Sequence, residues 1–262
     1  MIISNKFTHN ANVFSSLDSR NFATINLEPK KFVSPYLRNE NNQHDFRLSI
    51  LFLVLSGSLH TPLGKLSQGT MAIFSSADNI MASQEGCLVS ILIWKTNNWT
   101  ICNELLWLSS QSKWYKKYEA WVGKLNFNGK NPNPLSPWTA YMVELQPFNG
   151  EVSLHLHQEL NNLIFIQGQP NVNSGYFIIE ENLKYLALPL KAGDIILVKP
   201  GVKHNLVSSN TKHNLKFFVF NNSQSDYQQE ESSDYHLMKK VPWSAVDIQV
   251  RFNLNPILIN VG

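Results

Sequence analysis

Gly193-Asp194-Ile195-Ile196-Leu197-Val198-Lys199-Pro200-Gly201-Val202-Lys203-His204 reads as a short apolar strand, Ile195 to Val198, followed by a Pro-Gly turn. Such a turn holds the chain at a fixed angle as it re-enters a sheet, and here it delivers an imidazole. Upstream stands His155-Leu156-His157. Successive side chains of a strand point to opposite faces, so His155 and His157 fall on one side. His204 brings a third imidazole. Three neutral imidazoles suit a first-row divalent metal such as Fe, Mn, Ni, Cu or Zn, and they leave coordination positions open for water or substrate.

At these residues the chain resembles the cupin superfamily, whose first motif is a His-x-His followed by a Glu and a Gly. The family's second motif is a Gly-Asp strand ending in Pro-x-Gly-x-x-His. His155, His157, Gly168, Gly193, Asp194, Gly201 and His204 all fall at the family spacing. Two positions depart from it: Asn161 stands where the family has its carboxylate ligand, and Lys199 where it has the first Pro of the second motif. The resemblance implies a metal held by His155, His157 and His204. A fourth ligand has three readings: Asn161 through its amide oxygen, Glu159 as a substitute, or none, the plain three-His site being favoured. For a cupin lacking the Glu, the resemblance implies Fe(II) and an oxygenase-type reaction more than a hydrolase.

Working outward, Thr139 to Leu145, Val152 to His157, Leu163 to Gln167, Tyr176 to Glu180, Tyr185 to Leu190, Asp194 to Val198, Leu206 to Ser208 and Leu215 to Phe220 read as barrel strands. Gly, Asn or Pro punctuates most pairs. The N-terminal half shows the same habit in Phe46 to Leu59, Lys65 to Ser75 and Cys87 to Trp94. An apolar alternation from Phe22 to Leu27 fits an edge strand. Setting Gly57 against Gly168 and Gly69 against Gly193 matches Phe52 to Gly57 with Leu163 to Gly168, and Met71 to Phe74 with Ile195 to Val198. The halves read as two copies of one fold. In the first copy His44 takes the place of His155, but Phe46, Ile50 and Ile80 take the other ligand positions. One imidazole cannot hold a metal, so that barrel is structural or binds something else.

Between the halves, Trp107, Trp114, Tyr115, Tyr118 and Trp121 lie within Ile101 to Val122, and the three-or-four spacing among them suits a short helix. Pro132, Pro134 and Pro137 then lead into the second barrel. Asn221 to Asp234 is rich in Ser, Gln, Glu and Asp and reads as a polar linker, and Val246 to Ile259 regains strand character. That tail is expected to join a sheet of the first barrel or of a partner subunit.

Composition removes several function classes. Of the 262 residues, 43% are hydrophobic, and the net charge of +3 comes from 22 Lys and Arg against 19 Asp and Glu, scattered without a basic stripe for nucleic acid. The two cysteines, Cys87 and Cys102, form no C-x-x-C and no disulfide framework, which fits a reducing compartment. Met1 to Arg20 lacks a signal-like apolar run, and Leu48 to Leu55 is too short to cross a bilayer. A cytoplasmic protein with no membrane or nucleic-acid partner is the expectation. His9, His60, His213 and His236 belong to neither motif, and Asp194 is read as a turn-former, not an acid catalyst.

The expected architecture is all-β: two tandem cupin-type β-barrels of the double-stranded β-helix, or jelly-roll, kind, with a short helical aromatic-rich connector. Residues 1–110 form a degenerate barrel, 111–138 the connector, 139–222 the metal-binding barrel, and 223–262 the linker and C-terminal strand. The expected function is a metal-dependent enzyme acting on a small polar organic molecule, a non-haem Fe(II) dioxygenase with a three-His centre, with a homodimer as one possible state. The alternatives are a metal-dependent isomerase or lyase, and a non-catalytic bicupin that binds a sugar or metabolite.

Overall fold

The computed structural model describes residues 2–4, 15–17, 20–37, 48–95, 104–107, 114–117, 120–124, 139–145, 151–158, 162–169, 172–208, 215–221, 239–251 and 257–261. The chain divides into two compact units, residues 5–112 and residues 1–4 with 113–262. Strand β1 (Ile2–Ser4) belongs to the second of these. No helix among the described residues is long and apolar enough to cross a membrane.

In the unit 5–112 the strands are β2 (Ser15–Leu17), β3 (Arg20–Leu27), β4 (Leu48–Thr61), β5 (Gly64–Ser67), β6 (Met71–Phe74), β7 (Met81–Lys95) and β8 (Glu104–Trp107). They form one sheet in the order β2-β3-β7-β4-β6-β8, with β5 on β4. Alternation decides which residues go inside: Ile50, Phe52 and Val54 pack with Ala72, Phe74, Val89 and Ile91 in an apolar core. Phe52 and Phe74 meet edge to face at 5.4 Å.

The other unit contains β9 (Trp114–Lys117), β10 (Ala120–Lys124), β11 (Thr139–Leu145), β12 (Glu151–Leu154), β13 (Asn162–Ile166), β14 (Asn173–Glu181), β15 (Lys184–Lys191), β16 (Ile195–Val198), β17 (His204–Ser208), β18 (Leu215–Asn221), β19 (Lys239–Pro242), β20 (Val246–Ile248) and β21 (Leu258–Val261). An eight-stranded sheet, β1-β21-β16-β13-β18-β11-β10-β9, faces a four-stranded sheet, β17-β14-β15-β20. Ile164, Ile166, Ile196, Val198 and Val219 of the first pack with Phe177, Ile179, Leu188 and Leu206 of the second, which makes the barrel core. The β12-β19 ladder lies on the other side of the smaller sheet, where Val152, Leu154 and Val241 meet Ile178, Ala187 and Val207.

The two units share a strand order. Ranked along the chain, β2-β3-β7-β4-β6 and β10-β11-β18-β13-β16 are the same series, antiparallel throughout. The next strand differs: β8 joins β6 antiparallel, whereas β21 joins β16 parallel. Gly57 and Gly168 both have positive φ, 70° and 146°. The residue match before them slips by one, because β4 carries a bulge between Val54 and Ser56. Phe52 packs in the core of its unit, whereas Leu163, also buried, does not join the core that holds Ile164 and Ile166, so Phe52 corresponds to Ile164 and Ile50 to Asn162. Cross-strand pairing agrees: Ile50 faces Phe74 and Asn162 faces Val198.

Three expectations are corrected. The aromatic connector is strand, not helix: Trp114 and Tyr115 lie in β9, Trp121 in β10, and Trp107 in β8. Val122 pairs with Tyr115 and Gly123 with Trp114, so aromatic and β-branched residues win over a spacing that only imitates a helical period. Tyr118 and the prolines lie outside the described residues. Second, β3 is not an edge strand, since it sits between β2 and β7. Third, the tail returns to the barrel that precedes it: β20 pairs with β15 and β21 with β16. Of the expected linker Asn221 to Asp234, Asn221 ends β18 and the rest lies outside the described residues, as do His44 and Phe46.

A buried clasp explains the tail. Asp194 has no exposed surface and accepts N–H bonds from Lys191 at 2.7 Å and Ile257 at 2.9 Å. Arg251 donates to both of its oxygens, Nη2 to Oδ1 at 2.9 Å and Nη1 to Oδ2, and also to Pro189 O at 3.2 Å. Burial raises the Asp194 pKa, and Arg251 with the two N–H donors works against that rise. Asp194 is thus a turn-former, as its Gly-Asp context predicts, with a guanidinium partner that the local sequence does not announce.

Candidate metal centre

His204 opens β17, and its register partner on β14 is Ile179, a residue of the barrel core. Directly paired residues share a face, so the imidazole points into the barrel. His155 follows β12 and meets His204 in an isolated antiparallel bridge, His155 N–H to His204 O at 3.0 Å and His204 N–H to His155 O at 2.8 Å. His157, two residues on, has its carbonyl held by the Gly201 N–H at 2.7 Å. The Pro-Gly turn therefore fixes two of the candidate ligand positions at once. Gly201 has φ of 80°, a left-handed conformation that costs other residues roughly 1–2 kcal/mol.

The three rings form a tight triangle, with centroids 5.1 Å apart for His155 and His157, 4.6 Å for His155 and His204, and 5.5 Å for His157 and His204. One ligand nitrogen from each lies within 4.8 Å of the other two. Two nitrogens on one ion are at most about 4.2 Å apart, twice a metal–nitrogen bond, so small ring rotations bring this set onto a single ion. His204 is buried, while His155 and His157 are half-buried and border the more open side.

His204 Nδ1 lies 2.8 Å from Val202 O, which selects the tautomer that donates from Nδ1 and leaves the Nε2 lone pair free. Burial, with the nearby His157 adding to it, depresses its pKa to about 3, against a weaker opposing effect of the Val202 bond. The ring is neutral near pH 7, the form a metal needs. Phe177 walls it at 6.1 Å.

The three predicted histidines are brought together, and Glu159 and Asn161 lie outside the described residues. Asp194 precedes β16, at the end opposite the turn that leads to His204, and so stands apart from the imidazoles. Lys199 is exposed, and so is His60. A residue that motif spacing passes over is Asn162, only 2% exposed, whose Oδ1 is buried without a hydrogen-bond partner among the described residues. Strand alternation from Ile164 and Ile166 is the signal that finds it.

A 7S globulin from Momordica charantia superposes with a TM-score of 0.51 at 12% identity, over 86% of this chain and 79% of that one. The fold is a cupin-type β-barrel fold. A protein from Pseudomonas aeruginosa described as glyoxylate-induced gives 0.51 at 8% identity, over 78% and 74% of the two chains. The oxalate decarboxylase of Lactobacillus farciminis, in a formate complex, gives 0.48 at 11% identity over 85% and 79%, a likeness too weak to carry argument. At these identities the likeness concerns the fold and leaves the chemistry to the site. No family model and no curated protein matches the chain.

Proposed function

We propose that this chain is a metal-dependent cupin enzyme in which His155, His157 and His204 hold one divalent first-row ion, Fe(II) in the favoured reading, and that it acts as a dioxygenase on a small polar organic molecule. The observation that carries the reading is the convergence of three ligand nitrogens within 4.8 Å on the inner wall of one barrel. In the other unit, the described residues at the corresponding places, Ile50 and Ile80, are apolar and buried. A bound ion would supply Lewis acidity and open coordination positions for a chelating ligand. Three neutral donors leave its double positive charge uncompensated, so the favoured substrate is an anionic chelator such as an enolate or a hydroxy acid. His204, held by Val202 O at Nδ1, keeps its Nε2 lone pair free, and the buried Phe177 ring lies beside it.

An oxygen-electrode screen of small chelating acids with anaerobically Fe(II)-loaded protein tests this reading. O2 uptake that begins only on addition of the acid, and is absent in His204→Ala, is the expected result. Product formed equally well without O2 would favour an isomerase or lyase, and a tightly bound, unchanged ligand on metal-free protein would favour a binding protein.

A further inference from the structure

Asn162 opens β13 opposite Val198 of β16, and Val198, Ile164 and Ile166 all contribute to the barrel core. Paired residues share a face, as do residues two apart on a strand, so the Asn162 side chain points inward. Val198 ends β16, and the turn from Lys199 to Lys203, whose Gly201 N–H holds His157 O, runs from there to His204. Asn162 is therefore at the histidine end of the barrel. It comes from the opposite wall, since β13 belongs to the eight-stranded sheet and β17 to the four-stranded one.

A carbonyl oxygen buried without a donor among the described residues is rare enough to require a reason, and at the histidine end of the barrel an occupant that brings the donor supplies one. The other unit offers a control within the same chain. Its matching position is Ile50, 4% exposed, opposite Phe74 in an apolar core. Of these two equivalent positions, the polar side chain occurs in the barrel that has the imidazoles.

We infer that Asn162 is a specificity-determining residue whose amide oxygen accepts a hydrogen bond from a hydroxyl of the ligand, so that the site takes a hydroxy acid in preference to the corresponding oxo acid. The inference rests on the metal-centre reading for the ligand's anionic end, and Asn162 reads the other end from across the barrel. An oxo group there would set acceptor against acceptor and leave both unpaired, which is how a site built around a hydroxyl rejects the analogue lacking it.

Calorimetric titration of the full chain loaded with Mn(II), using lactate and pyruvate as probes of equal charge and similar size, tests this. The wild type should bind lactate about tenfold more tightly, the worth of one buried hydrogen bond. Asn162→Leu should bring the ratio close to unity with metal content unchanged; it replaces an unsatisfied polar group with an apolar one, so it should fold at least as well. Asn162→Asp, which keeps an acceptor and repels both anions alike, should retain the lactate preference. An unchanged ratio in Asn162→Leu, a preference for pyruvate, or binding of neither acid by metal-loaded protein would overturn the inference while leaving the metal centre standing. Failure of the wild type to hold metal would overturn both.

Discussion

Arg251 reaches back 57 residues to Asp194, and both side chains are almost completely buried, at 5% and 0% exposure. Removing one partner of such a pair strands the other charge, so Arg251→Ala should cost about 3–5 kcal/mol in urea unfolding. Lys203→Ala, which breaks an ion pair to Glu180 with the lysine 40% exposed, should cost less than about 1 kcal/mol. Equal losses would contradict the clasp. Cys87 gives a pH-dependent case, because burial, with a contribution from Glu85, pushes its thiol up to about 12. An unfolded thiol ionises near about 8.5, so between there and 12 the folded state binds more protons and stability falls as pH rises. Unfolding midpoints measured from about pH 8 upward should decline less steeply in Cys87→Ala, and parallel declines would refute the assignment. At this scale the convergence of His155, His157 and His204 was legible from spacing, and the turn role of Asp194 from its glycine. Arg251 and Asn162 escaped notice because their roles come from a distant partner and from strand register.

The turn from Lys199 to Lys203 is the element on which the site depends, since it aims His204, supplies Val202 O to its Nδ1 and holds His157 by the Gly201 N–H. A Cβ added at Gly201 would meet nothing within 4 Å, so Gly201→Ala brings no clash and acts through its positive φ alone. We expect it to cost roughly 1–2 kcal/mol of fold stability and to weaken metal affinity measurably, whereas a substitution at the exposed Lys199 should leave affinity unchanged. Metal titration of both variants checks this, and unaltered affinity in Gly201→Ala would mean that the turn does not set the site. The strands themselves were readable from alternation and turn residues, often to within two or three residues. The connector was misread because Trp107, Trp114 and Trp121 recur near a helical period while their partners across the ladder, which decide the matter, are invisible to a local pattern.

For the whole molecule, the two units share a strand order, and among the described residues the core of the first is apolar while the second brings three imidazoles together beside its core, so the proposed chemistry belongs to the second. The repeat was legible at its glycines, and the one-residue slip before Gly57 was not, because a bulge shows itself only in pairing. His44→Ala should leave metal content unchanged, since Ile50 and Ile80 line the interior of its unit and offer no ligand; a halved content would place a second centre there. The most direct measurement is metal analysis of protein purified without a metal-binding tag, for the wild type beside His155→Ala and His204→Ala. About one first-row ion per wild-type chain is expected, with loss of most of it in both variants, because a remaining pair of imidazoles lacks the donors for tight capture. A wild-type chain without metal, or full occupancy in either variant, would contradict the three-His centre.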